Sequence, residues 1–246
     1  MFVGLRSFYY YISLVLLLFY NSLFAQKENL SGFTSLACNY KFSTKFYLNP
    51  EFQFRANDRF YKPDYYEIKT GLGYNLNSSN QIYLGLGRYA TYTNERISRE
   101  EFRIWLQHVY SLYISKLKFE QRIRLEKRFF HNPITNDNTN SERFRYRLNL
   151  TVPLNNEKIA EKTFFINTYD EIFLVTEKPI INRNRIFIGS GYQFTKSFGL
   201  SIGYLLQRDF SNNSNINLHF LYTGFSFTID KSKSEDNIQT PSPDNG

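Results

Sequence analysis

The chain has 246 residues and a formal net charge of +8, is 42% hydrophobic and 21% charged, and carries 25 Phe and 20 Tyr beside one Trp, one Met and one Cys. One cysteine excludes a disulfide framework and any Cys-based zinc cluster. Mean hydropathy is −0.45, and no apolar run beyond residue 25 approaches the ~20 residues of a spanning helix, which excludes a bundle of membrane helices.

Residues 1–25 read as a cleaved signal peptide. Arg6 supplies a positive start, and Tyr11 to Phe24 is apolar apart from Ser13, Asn21 and Ser22. Ala25-Gln26 is the expected cut, although Leu23 at −3 is larger than the usual small residue. Export leaves residues 26–229 as one folded domain and 230–246, with Pro241 and Pro243, as a disordered polar tail.

The exported part repeats one pattern, in which apolar and polar residues alternate with period two over segments of about ten. Such segments fall at 33–42, 46–56, 64–76, 81–92, 100–113, 117–130, 142–153, 163–175, 184–194, 198–210 and 216–229. Early in the chain, Phe46, Leu48, Pro50, Phe52 and Phe54 alternate with Tyr47, Asn49, Glu51, Gln53 and Arg55. The clearest segment is Leu117 to Phe129. One face carries Leu117, Phe119, Ile123, Leu125 and Phe129, broken by Gln121 and Lys127, and the other Lys118, Glu120, Arg122, Arg124, Glu126 and Arg128. The next repeats it, with Phe144, Tyr146, Leu148 and Leu150 against Arg143, Arg145, Arg147 and Asn149. Tight connections at 43–45, 77–80, 114–116 and 195–197, with the longer 154–162, alternate with polar stretches at 57–63, 93–99, 131–141, 176–183 and 211–215.

Alternation alone does not say which face is wet. The signal peptide, strands long enough to cross a bilayer at a tilt, and the alternation of turn lengths point to an all-β, antiparallel transmembrane barrel with charges inside and apolar residues on lipid. Phe46, Tyr74, Phe130, Phe194, Phe198 and Phe210 sit where interfacial girdles belong. The strands number eleven, whereas single-chain bacterial barrels have an even number. The expectation is therefore about 10–12 strands, narrow enough for side chains to fill much of the lumen.

Segments across residues 30–229 resemble domain of unknown function 2490 (DUF2490). The residues that carry the likeness are GFTSLACNYKFSTKFYLNPEFQFRAND, DYYEIKTGLGYNL, EFRIWLQHVYSLYISKLKFEQRIRLEKRF, ERFRYRLNLTVPLN, and TYDEIFL followed by NRNRIFIGSGYQFTKSFGLSIGYLLQ. The resemblance implies a Gram-negative outer-membrane barrel and supplies no activity. One departure is the C-terminus, where Phe227 is not the last residue, as the final-strand aromatic of a barrel often is.

The candidate binding surface is the charged inner wall: Arg103, Trp105, Arg122, Arg124, Glu126, Arg143, Arg145, Arg147 and Glu171. Hairpins centred on 114–116 and 131–141 would place Arg103, Glu126 and Arg145 in one row. Trp105, Arg124 and Arg147 would form the next, and Gln107, Arg122 and Asn149 the third. The first is a carboxylate between guanidiniums, the second a cation–π stack. Two readings of the wall stay open: ion pairs that hold a filled lumen together, with Glu51, Glu67 and Glu171 as counter-charges, or an arginine lining that draws small anions. His108, on an apolar face, His131, at a loop edge, and His219, with inward parity, lie in no catalytic motif, and neither G-x-S-x-G nor H-E-x-x-H occurs. An outer-membrane lipid-modifying enzyme and a soluble secreted β-barrel binder are the alternatives. No metal or cofactor is expected. The partners are outer-membrane lipid, lipopolysaccharide and the barrel-assembly machinery; nucleic acid is not among them.

Overall fold

The computed structural model describes residues 30–56, 60, 62–212 and 214–232. The expected signal peptide and nearly all of the polar tail lie outside these residues. Twelve strands form: β1 Leu30–Lys41, β2 Phe46–Leu48, β3 Glu51–Ala56, β4 Pro63–Asn75, β5 Asn80–Thr93, β6 Arg96–Ile114, β7 Leu117–Asn132, β8 Asp137–Pro153, β9 Thr163–Val175, β10 Ile181–Gln193, β11 Phe198–Phe210 and β12 Asn215–Asp230. Because β2 and β3 both lie between β1 and β4, they make one interrupted stave, and the sheet closes as an eleven-stave barrel. The interruption falls at Asn49-Pro50, where proline has no N–H for the ladder. There Asn49 Nδ2 donates to the Cys38 carbonyl at 2.9 Å, and the Cys38 N–H donates to the Pro50 carbonyl at 2.9 Å.

Closure explains the odd number. All neighbours pair antiparallel except β1 and β12, which run parallel from Leu30↔His219 to Lys41↔Asp230. An odd ring of alternating directions must contain one parallel pair. The sequence count of eleven therefore stands, and the chain enters and leaves the barrel at opposite rims. We call lower the rim that holds 76–79, 115–116 and 194–197, and upper the rim that holds 94–95, 133–136 and 211–212.

Two of the polar stretches expected between strands, 93–99 and 131–141, are largely strand. Pairing continues to Thr93↔Arg96 and Asn132↔Asp137, so two residues join β5 to β6 and four join β7 to β8. Asn94 and Glu95 both take positive φ (50° and 64°), the geometry of a two-residue hairpin turn. Polar residues extend these strands because a ladder satisfies their backbone groups wherever it can be continued.

Period-two alternation then sorts the side chains. Outward stand Ile68, Leu84, Leu125 and Ile188, each more than half exposed, and a belt of rings follows the lower rim. Phe46–Tyr74 (4.8 Å between centroids), Phe164–Tyr192 (4.3 Å), Phe194–Phe198 (5.5 Å) and Phe198–Phe227 (5.3 Å) are its contacts. Phe130 departs from the expected girdle: it shares parity with Arg128, whose guanidinium lies 4.6 Å over its ring. The core is the lumen itself. Phe33, Phe187, Leu205 and Phe220 are almost fully buried there, with Tyr169 and Tyr222 packed against them.

Candidate functional site

All nine wall residues face the lumen, but their rows differ from expectation. The β6–β7 turn holds only Ser115 and Lys116, with Ser115 at φ 52°, so Ile114 pairs with Leu117 and Arg103 with Arg128. Across β7–β8, Glu126 pairs with Arg143 and Arg124 with Arg145. Each register is displaced by two residues, which changes every partner and keeps every side chain on its face. The rows are Trp105–Glu126–Arg143, Gln107–Arg124–Arg145 and Val109–Arg122–Arg147, with Glu171 beside Arg147 on β9.

Long side chains then reach diagonally. Glu126 lies between guanidiniums as expected, though not with Arg103. Its Oε2 accepts from Arg143 Nε at 2.7 Å and Nη2 at 2.5 Å, and its Oε1 from Arg145 Nη1 at 2.8 Å. Arg124 Nη1 is 3.5 Å from the same oxygen. Glu171 Oε1 accepts from Arg145 Nε at 2.8 Å and also binds Arg122. Arg145 therefore bridges two buried carboxylates, which carries an ion-pair chain across β7, β8 and β9. Charge-assisted bonds of this kind offset the cost of taking the ions out of water.

Arg103 belongs to another cluster. It pairs with Glu101, which also accepts from Arg128 Nε at 2.6 Å, and its guanidinium lies 3.6 Å over the Tyr89 ring. The expected Trp105 stack forms with one arginine: Arg124 Cζ is 4.9 Å from the ring, while Arg124 Nε donates to Gln107 Oε1 at 2.8 Å. Gly85 makes room for the indole, since a Cβ there would lie 2.2 Å from Trp105 Cε2. Arg147 stacks 5.2 Å over Tyr169 and makes no ion pair within 4 Å among the described residues.

Of the expected counter-charges, Glu51 meets Lys69 Nζ at 3.1 Å and Ser35 Oγ at 3.0 Å, and Glu67 binds Lys69 and accepts from the Tyr65 hydroxyl at 2.6 Å. They serve the opposite wall rather than the arginine ladder. Sequence reasoning missed Glu101, Arg55, Arg183, Arg185, Asp209 and the ring of Phe173. Phe173 is only 1% exposed and has four guanidiniums within 6 Å, those of Arg143, Arg145, Arg183 and Arg185. Glu101 shares parity with Arg103, and Arg183 and Arg185 stand opposite Ile186 and Ile188, so the alternation carried the signal.

The histidines lie apart from this wall. His108 Nε2 contacts Asn80 Oδ1 at 3.0 Å, and His131 Nδ1 contacts Asn138 Oδ1 at 3.1 Å. His219 corrects its expected inward parity: it meets the Tyr204 hydroxyl on the outer face, because β12 turns Phe220 and Tyr222 inward. Among the described residues, no group of three or more His, Cys, Asp or Glu could hold a metal ion.

Two cavities remain between the side chains. The larger, about 530 Å³, is lined by twelve Arg or Lys residues against six Asp or Glu. The smaller, about 240 Å³, lies toward the lower rim and contains Trp105, Arg122, Arg124 and Arg147 in its lining. This arrangement can attract, bind or pass an anion; a carboxylate-rich lumen would do the reverse.

No curated protein matches the sequence significantly. The model of a protein family of unknown function, DUF2490, matches residues 30–217, and the chain belongs to that family.

Proposed function

We propose that the protein is an outer-membrane β-barrel that admits small anions to a narrow basic lumen. The observation that carries this reading is the uncompensated charge of the interior. Twelve cations line the central cavity against six carboxylates, and adding Glu101 and Glu126, packed behind the arginines, still leaves four cations in excess. Buried charge without a partner is costly, so such a lumen favours anions and repels cations. The outward leucine and isoleucine band and the ring belt at the lower rim support lipid as the medium of the outer face. Exposed apolar surface on that scale is otherwise an aggregation liability.

The test is current through the membrane-purified protein in a planar bilayer under a salt gradient. Discrete steps with a reversal potential on the anion side are expected, and Arg124→Glu should move that potential toward zero. A folded, inserted but silent barrel would sink the passage. It would leave an occluded envelope protein, the reading favoured by the fully engaged carboxylates of Glu126 and Glu171.

A further inference from the structure

Most lumen arginines spend their donors on carboxylates, amides or rings. In the smaller cavity some donors stay unspent. Three buried N–H groups there have no hydrogen-bond partner: Trp105 Nε1, Arg122 Nε and Arg147 Nε. Unsatisfied buried donors are uncommon, and each costs stability unless something occupies the space before it. The side chains that carry them line one space of about 240 Å³, together with Arg124 and Lys69. Its one carboxylate, Glu51, is already held by Lys69 at 3.1 Å and by Ser35 Oγ at 3.0 Å.

The donors are also fixed in place. Trp105 is wedged over Gly85, stacks on Tyr83 at 27° with centroids 6.3 Å apart, and lies under the Arg124 guanidinium at 4.9 Å. Arg122 is anchored through Nη2 to Glu171, while its Nε has no partner. Arg147 lies 5.2 Å over Tyr169 with no carboxylate in ion-pair range among the described residues. A cavity lined by three guanidiniums, an ammonium and an indole against one carboxylate suits a compact tetrahedral oxyanion, which can accept from several directions at once. A halide fills one contact and leaves the others unmet.

We infer that this cavity is a binding station for phosphate-class oxyanions, formed by Trp105, Arg122 and Arg147 in the lower half of the lumen. It rests on the reading of the lumen as an anion path, and it names the class of anion the path takes.

The chain's one tryptophan is part of the station and reports on it directly. The membrane-purified protein in detergent is titrated with inorganic phosphate, sulfate and chloride at matched ionic strength, and Trp105 emission is read. A saturable change with phosphate and sulfate, absent with chloride, is expected. Arg147→Gln should weaken it roughly tenfold or more, the loss of one charge-assisted bond. Arg88→Gln should leave it unchanged, because Arg88 stands on the outer face, paired with Glu100 at 2.8 Å. If Arg147→Gln does not fold, Arg147→Lys keeps the charge, loses the fork, and should also weaken binding. No saturable phosphate response in the wild type overturns the inference, as does an equal response in the Arg147 variants. Anion-selective current without a phosphate response removes the station and leaves the passage. Phosphate binding in a silent barrel removes the passage and leaves the station.

Discussion

The two sides of this lumen are filled by opposite means. Across β6 to β9 the interior is a lattice of arginines and glutamates, in which Glu126 and Glu171 together engage Arg122, Arg124, Arg143 and Arg145. Across β10 to β12 and β1, beside the Arg183–Asp209 pair, it is a block of rings, where Phe33 meets Phe220 edge-on at 5.8 Å and Phe187 meets Tyr222 at 5.3 Å. Glycines admit those rings: a Cβ at Gly203 would stand 2.6 Å from the Phe187 ring. Both fillings satisfy the same closed wall, but they differ in tolerance. Ion pairs fail sharply when one partner is lost, whereas apolar packing loses in proportion to the volume removed. The seam, where the one parallel pair closes the ring, is held by the second kind.

That contrast can be broken most directly at Glu126. Glu126→Gln keeps the shape and leaves Arg143 and Arg124 without a carboxylate, with an expected loss of about 3–5 kcal/mol. Urea unfolding in detergent measures it, and a loss no greater than that of a surface variant would show that the lattice does not stabilise the wall. In the ring block, Leu205→Ala removes a fully buried side chain and should cost about 3 kcal/mol by the same assay, with the lattice undisturbed. A sharper probe of packing is Gly85→Ala, whose methyl would meet Trp105. An expected loss of about 1–3 kcal/mol should come with a shift in tryptophan emission, and an unaltered spectrum would contradict the wedge. The smallest effect belongs to Lys127→Ala. Its pair with Glu142 at 3.1 Å is solvent-exposed, so less than about 1 kcal/mol is expected, and the midpoint should barely move.

The arginine wall was legible to the residue because its charged parity is unbroken. Arg122, Arg124, Glu126 and Arg143, Arg145, Arg147 all lie on the expected face. The ring block was not, because β12 carries apolar residues on both parities. Leu221 and Phe227 face out while Phe220 and Tyr222 face in, so the rule that assigns apolar residues outward misplaced His219. The station at Trp105 was half legible: its residues stood among the wall candidates, but the orphaned donors exist only once Gln107, Glu126 and Glu171 have taken the others.

Strand number and most faces followed from the sequence alone, since period-two alternation is a local property that each segment carries for itself. Partners did not. A slip of two residues leaves every side chain on its face, so nothing in the alternation separates Arg103–Glu126 from Arg103–Arg128. A two-residue turn at Ser115-Lys116 made the choice. The parallel closure of β1 on β12 is likewise a property of the whole ring, decided only when eleven staves meet and their directions must be reconciled.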